Sequence, residues 1–190
     1  MRIPILLVLS CFLLAAAFAQ GQGGQFNINM RDYCDPASFN AALGPGACVR
    51  DTASGTITFG GFIGEISTDK SAGAWRFAPS QLKATQGATL NIQSLGGETH
   101  TFTRVKRFGG GFVDVLNGLS GNPTPAPECA QVVDGNLVPQ PPGPDNLFIP
   151  AGGNASATLT GGEVARFQCC IHPWMRLTVT PRDQHHTQVH

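Results

Sequence analysis

The chain has 190 residues, with 12 basic and 12 acidic side chains, 24 glycines and 14 prolines. That length buries a full core, and a balanced charge offers no basic stripe to neutralise phosphates, which excludes nucleic acid as a partner. Many turn residues, few Tyr and Trp and no long helical period predict an all-β protein.

Arg2, the apolar run Ile3 to Ala17 and the small-x-small site Ala17-Phe18-Ala19 predict a secretory signal peptide over residues 1–19, cleaved before Gln20. Cys11 lies inside that run, and the apolar residues continue past it to Ala17, which argues against lipid attachment. The expectation is an exported chain, periplasmic or extracellular, with no stable membrane insertion after cleavage and one copy per molecule. Export implies an oxidising compartment. Cys34, Cys48, Cys129, Cys169 and Cys170 then remain, an odd set. Two disulfides and one thiol with a chemical task account for all of them.

Residues 20–55 read as a loop-rich N-terminal extension, because Pro36, Pro45 and several glycines interrupt any regular element. Proximity favours a Cys34–Cys48 disulfide here, with pairing of either to Cys129 or Cys170 as the open alternative. Residues 56–181 read as the main domain. Thr56 to Phe59 has strand composition, with Gly60-Gly61 ending or bulging it and Phe62 to Ile66 as a continuation. Trp75, Phe77 and Leu82 occupy strand-like positions around a bend at Pro79-Ser80. Thr89 to Gln93 alternates, so Leu90 and Ile92 face the core. A loop over Leu95 to Glu98 then delivers Thr99 to Thr103 into a further strand.

Phe108 to Phe112 is a glycine-rich corner without the Lys-Ser/Thr and helix that a phosphate loop requires. Asn117 to Asn146 is a long loop insertion rich in Pro and Gly, in which Cys129 suggests a tether. Leu147 to Pro150, Ala155 to Thr160, Val164 to Cys169 and Leu177 to Thr180 read as strands. In the third of these, Ala165, Phe167 and Cys169 share one face and Cys170 points the other way. Residues 182–190 form a polar tail containing His185, His186 and His190.

The most informative stretch is Cys169-Cys170-Ile171-His172-Pro173-Trp174-Met175. It offers a thiolate, an imidazole and a thioether within seven residues, a donor set that suits copper when a second histidine joins it. His100, in Glu98-Thr99-His100-Thr101, is the best-placed second histidine. Cys170 is the rival thiol, but its one-residue spacing to His172 and its strand face disfavour it. A Cys129–Cys170 disulfide pinning the long loop is the preferred use of that residue.

These residues resemble the cupredoxins, the small blue copper proteins. Cys169-x-x-His172-Pro173-x-Met175 is similar to their ligand loop, closest to the amicyanin type, and the segment from Phe77-x-Pro79 to His100 is similar to the one that carries their first histidine. The likeness covers roughly residues 74–107 and 146–180. It implies a cupredoxin-like Greek-key β-sandwich holding one type 1 copper ion, with His100, Cys169 and His172 as equatorial ligands and Met175 as the weak axial one. The sequence departs from the family at Thr101, where Asn often follows the first histidine, and in its long N-terminal extension and loop insertion.

The resemblance implies an electron carrier, not an enzyme. His172 is expected nearest solvent. Pro173 and Trp174 would form an apolar rim against which a redox partner protein docks, with core packing as the alternative for Trp174. A copper storage or delivery protein is the competing function. No His-x-His motif of the kind multicopper oxidases need is present.

Overall fold

The computed structural model describes residues 24–49 and 56–182. The expected signal peptide (1–19) and the tail histidines His185, His186 and His190 lie outside the described residues. In chain order the elements are β1 (Gln25–Arg31), α1 (Pro36–Leu43), α2 (Phe59–Asp69), β2 (Arg76–Ala78), β3 (Gln81–Ala84), β4 (Thr89–Ser94), β5 (His100–Val105), α3 (Asp114–Leu119), β6 (Ala130–Val133), β7 (Asn136–Pro139), β8 (Asn146–Ile149), β9 (Asn154–Thr158), β10 (Ala165–Gln168) and β11 (Arg176–Pro181).

One sheet has the order β2-β1-β4-β9 and the other β3-β11-β10-β5-β8, with β6 and β7 forming a separate hairpin. The expected all-β sandwich is therefore present. Strand alternation places Ile28, Met30, Leu90 and Ile92 of the first sheet and Phe102, Phe167, Leu177 and Val179 of the second in one shared core. Phe77 meets Phe102 across the sheets at 5.4 Å between ring centroids, and Phe102 stacks on Phe167 at 4.5 Å.

The N-terminal extension differs from its reading as loop-rich. Residues 25–31 form β1, which lies between β2 and β4 and runs parallel to β4 with Ile28 opposite Ile92. The alternation of Asn27 and Asn29 with Ile28 and Met30 is the physical reason, since one face is buried and the other polar. α1 follows, capped by Asp35, whose carboxylate accepts from Ser38 N, with Pro36 in the first turn.

The expected strand over 56–66 is a helix. Thr58 caps α2 by accepting from Gly61 N, and Phe59, Phe62, Ile63 and Ile66 recur at the helical spacing that buries one face. Only Ile57 keeps a strand-like role, bridging Cys34. Phe39 of α1 packs against Phe59 and Phe62 of α2 and stacks on Trp75 at 5.7 Å. Each such buried ring contributes about 1.5–3 kcal/mol. The two helices thus dock on the main core instead of trailing from it.

Both favoured disulfides are formed, Cys34–Cys48 and Cys129–Cys170, and Cys169 is a free buried thiol. Cys169 belongs to the main core, whereas Cys170 packs in a small second cluster with Val105, Ala126 and Cys129, as their opposite strand faces require. Replacing Cys34 and Cys48 together by Ala should lower stability by about 3 kcal/mol in urea denaturation, the loop-closure value for a loop of this length. A loss below about 1 kcal/mol would show that aromatic packing alone holds the helix pair. The long loop insertion is partly ordered by α3 and by the β6–β7 hairpin, which turns through Asp134-Gly135 with both residues at positive φ.

Candidate metal centre

The antiparallel pairing of β10 with β5 sets Gln168 opposite Thr103, so the chain leaving β10 at Cys169 meets the start of β5 at His100. The loop from Cys169 to Met175 is closed by its own backbone. Cys169 N donates to Met175 O at 3.0 Å, and Met175 N donates to His172 O at 2.9 Å. Arg176 anchors the exit, donating through Nε to Pro173 O at 2.8 Å and through Nη2 to Asn122 Oδ1 at 2.6 Å.

These constraints bring three of the four expected residues together. Cys169 Sγ lies 3.9 Å from His100 Nδ1 and 3.8 Å from His172 Nδ1, and all three donor atoms fall within 4.8 Å of one another. Imidazole and thiolate bonds to a metal run about 2.0–2.3 Å, so one ion can reach all three. Met175 is buried in the same core, and its backbone closes the loop. The donor set of one thiolate and two imidazoles fits a soft or borderline metal such as copper.

Thr101 fills the position where the resemblance expects Asn, and it still links the two ligand segments. Its N–H donates to Cys169 Sγ at 3.4 Å, and its Oγ1 accepts from Cys170 N at 2.7 Å. His172 N is a second donor to Sγ at 3.5 Å. Burial raises the Cys169 pKa, but hydrogen bonds from His100 and His172 and their charges outweigh it and hold the thiol well below its ordinary value.

Two acidic residues that sequence reasoning missed complete the centre. Asp32 Oδ2 lies 2.8 Å from His100 Nε2, with both side chains fully buried. Gly97 N donates to Asp32 Oδ1 at 2.8 Å and Glu98 N to Oδ2 at 3.2 Å. Burial pushes the Asp32 pKa up, but His100 and these backbone donors bring it below its usual value. An ionised carboxylate only accepts, so His100 Nε2 is the donor and Nδ1 is the atom turned to Cys169. Burial pulls His100 down, yet Asp32 and the Cys169 thiolate more than offset it and raise its pKa to about 10 in the metal-free chain.

Glu98 Oε2 lies 3.6 Å from His172 Nε2 and accepts from Trp75 Nε1. Burial raises the Glu98 pKa, only partly countered by His172 and Trp75. Asp32 and Glu98 also lie near Cys34, but that sulfur is in a disulfide and offers no thiolate for a second metal. The spacing of Asp32 from His100, 68 residues along the chain, leaves no local pattern to find. Glu98, two residues before His100, was the one visible signal.

His172 is the most exposed of the four expected ligands, as the sequence implies, yet it too is buried. His172 is 2% exposed and His100 0%. The cause is the helical cap, since Phe62 of α2 meets the His172 ring edge-on at 6.1 Å, Trp75 stands at 6.4 Å and Trp174 at 5.5 Å. Pro173 is buried, and Trp174 is half-buried with its Nε1 donating to Ala72 O at 3.2 Å. Among the described residues no helix is long and apolar enough to cross a membrane.

No family model matches the chain, and no curated protein matches it significantly. Solved structures similar to it include a purple cupredoxin from Nitrosopumilus maritimus, with TM-score 0.39 and 13% identity over 83% of this chain and 99% of that one. A mutant of amicyanin with Cu(I) gives TM-score 0.33 and 15% identity over 56% of this chain and 73% of its own. The reduced Cu(I) form of another amicyanin mutant gives TM-score 0.34 and 16% identity over 59% and 77%.

Proposed function

We propose that this chain is an exported blue copper protein that carries single electrons through one type 1 site, in which His100, Cys169, His172 and Met175 would hold the ion. The observation that carries this reading is the convergence, within 4.8 Å, of one buried free thiol and two imidazoles, His172 from a loop closed by its own backbone and His100 from β5. Copper bound there would supply one-electron exchange between its Cu(II) and Cu(I) states.

The protein's part is to hold the donors still. β5 and β10 fix His100 and Cys169, Thr101 ties the two strands, and the Cys129–Cys170 disulfide pins the residue next to the ligand thiol. Donors to Sγ from Thr101 N and His172 N temper the charge of the thiolate. Two disulfides fit an oxidising compartment outside the cytoplasm. A redox partner would dock over the loop of His172, Pro173 and Trp174, where half-buried Trp174 packs edge-on to the His172 ring at 5.5 Å. Storage or delivery would need an incoming ligand to reach the ion, and the burial of both histidines and of Cys169 favours the carrier.

Adding Cu(II) to the mature chain tests the proposal. The expected result is an intense blue thiolate-to-copper band and reversible one-electron voltammetry. Tight, colourless binding of Cu(I) alone would replace the carrier with the delivery reading.

A further inference from the structure

Both candidate histidines present Nδ1 to Cys169, and both turn Nε2 toward a buried acidic side chain. From this we infer that Asp32 and Glu98 are positioning residues, one for each imidazole, and that Asp32 above all biases the centre toward the oxidised metal. The inference rests on the copper reading of the site.

The geometry around Asp32 is built for this task. Its two oxygens take up the Gly97 and Glu98 amides and the His100 ring, so the carboxylate is fixed from three directions. The turn that supplies the amides must pass close over it. A Cβ on Gly96 would overlap Asp32 Oδ2 and Cγ and stand 2.8 Å from Asp32 N. Asp32 therefore cannot swing away, and the His100 ring it holds has one orientation. A carboxylate on the far nitrogen of a ligand imidazole fixes its tautomer and makes it a stronger donor. Stronger donation and a nearby negative charge both favour Cu(II) over Cu(I).

Glu98 is the weaker member. It stands 3.6 Å from His172 Nε2, beyond a direct hydrogen bond, and is held in place by Trp75 Nε1. Asp32 enters from the segment after β1, and Trp75 packs under the α1–α2 cap. The N-terminal extension thus supplies the support of His100, whereas Glu98 and Trp75, which stand by His172, come from the main domain.

The test uses the mature chain, its copper form and its metal-free form. Asp32→Asn should weaken Cu(II) binding relative to Cu(I) about tenfold, a rise in reduction potential of about 59 mV for one electron. Glu98→Gln should shift the ratio in the same direction by about threefold, about 28 mV. In the metal-free wild type, nitrogen-edited NMR should find a His100 Nε2 proton protected from exchange, and Asp32→Ala, which removes the acceptor, should lose that protection. If the wild type turns blue with copper but neither variant moves the potential, the inference falls and the copper reading stands. If the wild type takes up no copper, the copper reading falls, and the Nε2 proton alone decides whether Asp32 positions His100. If Asp32→Asn does not fold, an unmoved potential in Glu98→Gln together with an unprotected His100 Nε2 proton overturns the inference.

Discussion

Changing Cys169 to Ser should abolish the blue band and weaken copper binding by at least about 100-fold, more than any other single substitution at the centre. Sγ is the atom on which the two imidazoles converge, at 3.9 and 3.8 Å from their Nδ1 atoms, and it is fully buried. The pocket is prepared for a thiolate, because two histidines outweigh burial and keep the sulfur's pKa low, and two backbone N–H groups donate to it. A serine hydroxyl in the same place stays protonated and cannot give the covalent sulfur bond that produces the colour. The comparison is the double replacement of Cys129 and Cys170 by Ser. It opens a disulfide of sequence separation 41, which should lower stability by about 4 kcal/mol, while the colour persists. Absorption spectra of both proteins decide the matter. Colour that survives in Cys169→Ser and vanishes in the double variant would move the ligand role to Cys170.

What the sequence makes legible here is what local spacing encodes. Leu90 and Ile92, or Phe167 and Cys169, reveal their face by alternation, and both are buried as that pattern requires. Cys169, His172 and Met175 sit within one loop, so their proximity follows from the chain itself. The odd cysteine set, sequence proximity and the opposite faces of Cys169 and Cys170 favour the disulfides that form, without choosing among the three connectivities that four cysteines allow. The missed features depend on distant partners. α2 shows helical spacing at Phe59, Phe62, Ile63 and Ile66, but Gly60-Gly61 reads as a breaker until Thr58 is seen to cap the first turn. The burial of His172 depends on Phe62 and Trp75, which stand about 100 residues earlier and reach it only when the cap docks. Asp32 is one acid in a polar stretch until β1 pairs with β4 and carries it to the Gly96–Gly97 turn.

That dependence makes Gly96→Ala a strongly destabilising substitution outside the ligands. The new methyl group would occupy the space of the Asp32 carboxylate, and the Asp32 backbone N at 2.8 Å blocks the other way out. Asp32 would have to leave, stranding the Gly97 and Glu98 amides and the His100 ring without their acceptor in a buried place. Breaking a buried charged pair costs about 3–5 kcal/mol, a large part of the about 5–15 kcal/mol that holds a domain together. Gly64→Ala is the control. It lies inside α2 with open space where its Cβ would go, so the same chemical change should stabilise by about 0.5–1 kcal/mol. Denaturation of the metal-free proteins in urea compares them without any contribution from copper. Equal stability for the two variants would mean that Asp32 can leave His100 at little cost, and that the turn over it is not what orders the centre.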